Sequence, residues 1–207
     1  MLERLSRALV LTPAEREHLF LLAQSRPPEV RYTPPGGVSA QVQRVLDSML
    51  YTPAFVKTVA WDIVAWNHAA TVIMTDYSRL PPEYRNLLRI IFNVPHVRAT
   101  MVDWEEHARL TVATFRMETS RAGAGESVRA LVDELCETSA EFARIWQDND
   151  VRTHGESSKK IHHATAGTLV FDYANFAVES QPGLGMVVFT PSTDSDKERV
   201  RELIENA

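Results

Sequence analysis

Five side chains in this sequence are suited to hold an anionic group: Arg85, Asn86, Arg89, Arg98 and His163. A guanidinium presents a planar fork of N–H donors that matches a carboxylate, and an amide or imidazole adds a single directed donor. Helical spacing puts Arg85 and Arg89 on one face, turns Leu88 and Phe92 toward a core and leaves Asn86 between them. Asn86 and Arg98 are therefore the preferred anchors. The competing reading is that each arginine sits in solvent or pairs with Glu83, Asp103 or Glu105, as surface arginines commonly do.

Other chemistry is less well supported. Asp103 and His107 are four residues apart, which would put two metal ligands on one helix face, but no third ligand is recognisable and the pattern is not His-Glu-x-x-His. No metal site is expected. His162 and His163 are strand neighbours whose side chains point to opposite faces, so at most one enters any interior space. Ser157-Ser-Lys-Lys160 matches Ser-x-x-Lys without a supporting oxyanion or base motif, and Cys136 has no activating neighbour. No catalytic residue is assigned, and the chain is not expected to be an enzyme.

The anchors need apolar walls. Trp61, Trp66, Phe92, Trp104, Trp146, Phe171 and Phe189, with Met101, fall on segments that would face one another across a sheet and a helical layer. They either pack a continuous core or line a cavity, because apolar walls with a few polar anchors make a binding pocket.

The segments that position them alternate in texture. Val38 to Leu50 has helical periodicity and stops at Pro53. Phe55 to Trp66 is rich in β-branched and aromatic residues, with Ala60-Trp-Asp62 as the turn of a hairpin, and Asn67 caps a helix from His68 to Thr75. Helices are predicted over 81–92, over 96–121 with a stripe of Val97, Met101, Trp104, Ala108, Val112 and Phe115, and over 126–148. Three strands follow, within 160–164, 168–178 and 186–190, with turns at Ala166-Gly and Gln181-Pro-Gly. Ser192 or Thr193 caps a last helix reaching Asn206. The plan is α+β, a five-stranded antiparallel sheet interrupted by a large helical insertion.

Two short helices precede this. Leu2, Leu5 and Leu9 lie along the first, and Leu19, Phe20 and Leu22 along the second, which Thr12, Pro13 and Glu15 open as a capping box. Helices this short are marginal alone and need a partner. Residues 26–37, with four prolines and two glycines, read as a linker, giving regions 1–25, 26–37 and 38–207. The net charge of −5 argues against a broad phosphate-gripping face, and the single cysteine precludes an internal disulfide. With neither a signal-peptide pattern nor an apolar run long enough for a bilayer, a cytoplasmic protein without membrane contact is expected.

The strand–helix–strand order, with Ile63-Val-Ala-Trp-Asn67 passing directly from strand into capped helix, resembles a PAS-type sensor. Arg85-Asn-Leu-Leu-Arg89-Ile-Ile-Phe92, Asp103-Trp-Glu105, Phe142-Ala-Arg-Ile-Trp146 with Asp150-Val151, and Gly167-Thr-Leu-Val-Phe-Asp-Tyr173 resemble the MmyB-like ligand-binding domain. Ala164 departs from that family's usual proline after His163. The resemblance implies a one-component transcriptional regulator whose PAS-like domain binds a small hydrophobic molecule, with long-chain fatty acids as the associated ligand class. It makes residues 2–23 the end of a helix-turn-helix domain whose recognition helix lies outside this chain, so DNA would be contacted only through that part, by a homodimer. The ligand-binding residues expected on this basis are Trp66, Asn86, Arg89, Phe92, Arg98, Met101, Trp104, His163 and Phe171. No tightly held cofactor is expected. A ligand-free dimerisation module, or a haem or flavin pocket betrayed by colour, are the competing readings.

Overall fold

The chain divides into two units, Met1–Arg31 and Tyr32–Ala207. The computed structural model describes residues 1–24, 37–148 and 158–207. Most of the expected proline-rich linker, together with Asp150-Val151 and Ser157, lies outside the described residues.

In the first unit α1 (Leu2–Ala8) and α2 (Pro13–Gln24) form with the expected capping box between them. The Thr12 N–H donates to Glu15 Oε2 at 2.8 Å and the Glu15 N–H donates to Thr12 Oγ1 at 3.4 Å. These bonds to Thr12 hold the Glu15 carboxyl below its ordinary range. Phe20 is buried, with the Arg16 guanidinium over its ring and Arg16 itself bridged to Glu3. Leu5, Leu9 and Leu22 are exposed, so only part of the expected apolar stripe is covered.

The second unit is built on one sheet. The elements α3 (Ala40–Ser48), β1 (Ala54–Thr58) and β2 (Ile63–Trp66) come first, followed by α4 (His68–Ile73). After the helical insertion come β3 (Ser158–His163), β4 (Gly167–Ala177), β5 (Leu184–Pro191) and α10 (Asp194–Glu205). The strand order is β2-β1-β5-β4-β3, antiparallel throughout, so the chain's last strand lies in the middle. The Trp61 backbone, at φ 66°, turns the first hairpin. A bulge between Val56 and Lys57 then puts Lys57 opposite Ile63. As expected, Asn67 caps α4, and of the two candidate caps for α10 it is Thr193 whose hydroxyl accepts from the Asp196 N–H at 3.1 Å.

Two apolar layers cover the sheet. On one face Phe55, Leu169, Phe171, Val187 and Phe189 pack with Ala70, Ile73, Tyr77 and Val200. On the other, Val42 and Leu46 of α3 meet Ala54, Val56 and Ala65.

The insertion corrects three expected helices, each broken by bonds that periodicity does not report. Residues 81–92 form a 3-10 turn, Pro82–Tyr84, and then α5 (Leu87–Asn93). Between them the backbone joins the hairpin instead: Ile63 N–H donates to Arg85 O at 2.6 Å and Leu87 N–H to Trp61 O at 3.0 Å. Residues 96–121 split into α6 (Pro95–Thr100) and α7 (Trp104–Arg121), because Met101 pairs with Ile161 of β3 and Asp103 turns left-handed, at φ 54°. Pro95 starts α6 at its first turn. Residues 126–148 split into α8 (Gly125–Thr138) and α9 (Ala140–Gln147), where the Ser139 hydroxyl caps α9 by accepting from the Phe142 N–H at 3.1 Å. Among the described residues no helix is long and apolar enough to cross a membrane.

Candidate functional site

Helix α7 carries two stripes, and they face different layers. Ala108, Val112 and Phe115 are buried against Val128, Leu131, Leu135, Phe142 and Ile145 of α8 and α9. His107, Leu110, Thr111, Thr114 and Glu118 recur at helical spacing about 100° further round and look at the sheet. This second stripe is mixed in polarity, as a wall of a binding site is and a core is not.

Between that stripe and the sheet lies a cavity of about 90 Å³. The sheet supplies Phe55 and Lys57 from β1, Val187 and Phe189 from β5, Tyr173 from β4 and Lys159 from β3. Trp61, Leu87, Ile91 and Met101 close its sides, and exposed Asn175 stands at its rim. Alternation along each strand explains the selection, since Tyr173 and Asn175 on β4 are two residues apart and share a face. The volume falls below the roughly 300–1,000 Å³ of a preformed ligand pocket. A long chain entering here must displace side chains, and Met101 is the sort of unbranched residue that yields.

The polar lining is of two kinds. At one end the Lys57 ammonium donates to Glu118 Oε2 at 2.6 Å, the Trp61 indole N–H donates to the same oxygen at 2.7 Å, and the ammonium lies 3.8 Å from the Trp61 ring centroid. Burial pulls the Lys57 pKa down while the Glu118 carboxylate opposes the shift. At the other end Lys159 has no carboxylate partner among the described residues, and burial lowers its pKa to about 8. The residue is half-buried, and its ammonium lies 5.5 Å from the Phe189 ring centroid. His107 Nε2 is buried without a hydrogen-bond partner among the described residues. Burial, and next the Lys159 charge, lower the pKa of its imidazole, which favours the neutral ring.

Of the expected ligand-binding residues, Met101 lines this cavity. Asn86 is fully buried elsewhere, where its Nδ2 donates to Ala60 O and Asp62 Oδ1, each at 2.8 Å, and its Oδ1 accepts from the Leu88 N–H at 3.0 Å. It ties α5 to the hairpin and has no free donor for a ligand. Arg89 makes a two-bond fork to Glu134 on α8, at 2.7 and 2.5 Å. Arg98 binds Glu141 at 2.6 Å and stacks 4.0 Å from the Trp104 ring centroid. Phe92 and Trp104 form an edge-to-face pair inside the helical layer, Trp66 stacks near Tyr77, and Phe171 is fully buried in the core under α10. His163 Nδ1 accepts from the Thr165 and Ala166 N–H groups, each at 3.4 Å, and so shapes the β3–β4 turn, while His162 is exposed. The polar lining residues Lys57, Thr111, Thr114, Glu118, Lys159, Tyr173 and Asn175 are not among the residues the sequence singles out for binding, and His107 is singled out there only as a possible metal ligand. The signal was present as the second stripe of α7.

These placements carry a prediction. The Arg98–Glu141 pair is about half-exposed on both sides, so Arg98→Ala is expected to cost less than about 1 kcal/mol in chemical denaturation. It should also leave the affinity for any ligand of the α7 cavity unchanged by calorimetry.

An antiparallel sheet flanked by helices, with a partly polar slot between one helix and the sheet, defines an α+β, PAS-like ligand-binding domain. Residues 38–203 match the MmyB-like transcription regulator ligand binding domain, and the chain belongs to that family. No curated protein matches the chain.

Proposed function

We propose that this chain is the ligand-sensing part of a cytoplasmic one-component transcriptional regulator, and that it binds a small hydrophobic molecule of the fatty-acid class between α7 and the sheet. The observation that carries the reading is the cavity itself, in a domain that belongs to a family of regulator ligand-binding domains. A module that served only dimerisation would fill that space with side chains. The cavity is assigned binding rather than catalysis. Because it is small, an occupant acts by moving α7 relative to the sheet, which shifts the population between two packings. Residues 2–23 belong in this reading to a helix-turn-helix domain. A homodimer would present two such domains to paired half-sites, and the ligand would alter operator affinity.

The test is to denature the purified protein, extract it and analyse the extract by mass spectrometry, together with thermal shifts across a panel of fatty acids. Co-purified lipid, or a Tm that rises with fatty-acid concentration, is expected. An extract free of lipid and a flat Tm across the panel would sink the proposal.

A further inference from the structure

The two ends of the cavity are electrostatically unlike, and the fold holds them apart. From His107 to Glu118 α7 advances about 16 Å at the helical rise per residue. Beneath it, β1 and β3 are separated by β5 and β4, which is three strand spacings or about 14 Å. Met101, just before α7, is paired to β3, whereas Glu118 near its end is bonded to Lys57 of β1. The helix therefore crosses the sheet obliquely, and the space under it is a slot with a β1 end and a β3 end.

At the β1 end the one cation among the described residues of the lining, Lys57, is already neutralised by Glu118. At the β3 end the Lys159 ammonium, 5.5 Å from the Phe189 ring centroid, has no carboxylate partner among the described residues, and His107 Nε2 is buried without a hydrogen-bond partner among them. Between them the walls are Leu110, Phe55, Val187 and Phe189 with the neutral Thr111, Thr114 and Tyr173, and no further formal charge lines the cavity among the described residues. An ammonium with only a ring face beside it and a buried imidazole nitrogen without a partner both suit a site completed by something negative that accepts hydrogen bonds.

We propose that the slot takes an elongated amphiphile with one anionic head, whose carboxylate is held by Lys159 and His107 while its apolar tail runs along α7 toward Trp61. This rests on the ligand-sensing reading above and adds to it a head-group site and an orientation. His107 must present Nε2–H to donate, which is one of the two neutral tautomers. The carboxylate gains a charge-assisted bond from Lys159, and the tail meets the β1 end where no cation is free to compete for the head. Lys160, the next residue on β3, is exposed on the opposite face and takes no part.

Calorimetric titration with decanoate and with decanol separates head from tail. Wild-type protein is expected to bind decanoate more tightly than decanol. Lys159→Met should weaken decanoate by roughly tenfold to a hundredfold, the worth of a buried charge-assisted hydrogen bond, and leave decanol unchanged. His107→Leu should weaken decanoate by a smaller factor, and Lys160→Met should change neither. Because the ammonium that Lys159→Met removes has no carboxylate partner among the described residues, the ligand-free variant should melt no lower than wild type, so lost binding is not lost folding. If Lys159→Met leaves decanoate binding intact, weakens both probes alike or lowers the Tm, the head-group assignment is overturned while the hydrophobic pocket stands. If wild type binds neither probe, the ligand-sensing reading falls and takes this assignment with it.

Discussion

Asn67→Asp should destabilise the sensor domain by about 3–5 kcal/mol, although the two side chains have nearly the same shape. Asn67 is buried where β2 passes into α4, and its Nδ2 donates to Leu46 O at 3.3 Å, Met49 O at 2.9 Å and Thr52 O at 2.8 Å. Its Oδ1 accepts from the Ala54 and Ala70 N–H groups, each at 3.0 Å. One side chain thus closes the turn between α3 and β1, starts β1 and caps α4. Aspartate keeps the two accepted bonds but points an oxygen at three carbonyls, which loses the donors and adds repulsion. Protonation restores one donor, so the introduced carboxyl has a raised pKa in the folded state. The deficit is then greatest at neutral and higher pH and shrinks as pH falls through that raised value. Denaturant titrations at pH 7.5 and pH 5 check both claims, with an unchanged m-value showing that only stability moved. A loss under about 1 kcal/mol at pH 7.5 would mean that the three carbonyls find other donors, against the energetics assumed here.

The same residue shows what was legible and what was not. That Asn67 would cap a helix follows from its type and from the texture of its neighbours, and the five strands, their turns and the end helices are equally local. Its grip on residues 46–52 is not local. Neither are the breaks at 85–87 and 101–103, where helical sequence gives up its own hydrogen bonds to pair with β2 and β3. Periodicity identifies which residues are helical in character but not which backbone group has a better partner elsewhere. Most of the expected ligand-binding residues lie away from the cavity for a related reason. Choosing the most apolar stripe of α7 and the largest aromatics selects core, and Phe92, Trp104 and Phe171 are core. A cavity wall mixes polarities, so residue type alone does not distinguish His107, Thr111, Thr114 and Glu118 from a solvated face, and only the sheet beneath them does. The arginines were chosen for their chemistry, but Glu134 and Glu141 on later helices claim two of them.

The β1 end of the cavity allows the sharpest separation of stability from binding. Glu118→Gln is expected to cost about 2–4 kcal/mol, toward the lower side of what breaking a buried pair costs, because the Glu118 side chain is about one-third exposed. The loss arises on Lys57, whose side chain is only 8% exposed and would keep the face of Trp61 and a neutral amide oxygen, but no counter-charge, to offset its charge. With the carboxylate's charge gone, less opposes the effect of burial, and the Lys57 pKa falls further. An ammonium whose folded pKa lies below its unfolded value penalises folding fully at low pH. The penalty fades as pH rises from the folded value toward the unfolded value near 10.4. The variant's deficit should therefore narrow between pH 7 and pH 10. Adding Lys57→Met should recover most of the loss, giving a coupling energy of at least about 1.5 kcal/mol in a double-mutant cycle. Additive single effects would show that the pair is only a surface contact. Binding then provides an independent reading of the same change. Freed from Glu118, Lys57 becomes a second unpaired cation in the slot, so Glu118→Gln should bind decanoate at least as well as wild type despite being less stable. Combined with Lys159→Met, it should restore part of the lost affinity, with the carboxylate now at the Trp61 end. If no affinity returns in the double variant, wall shape rather than the position of the free charge sets the orientation of the ligand.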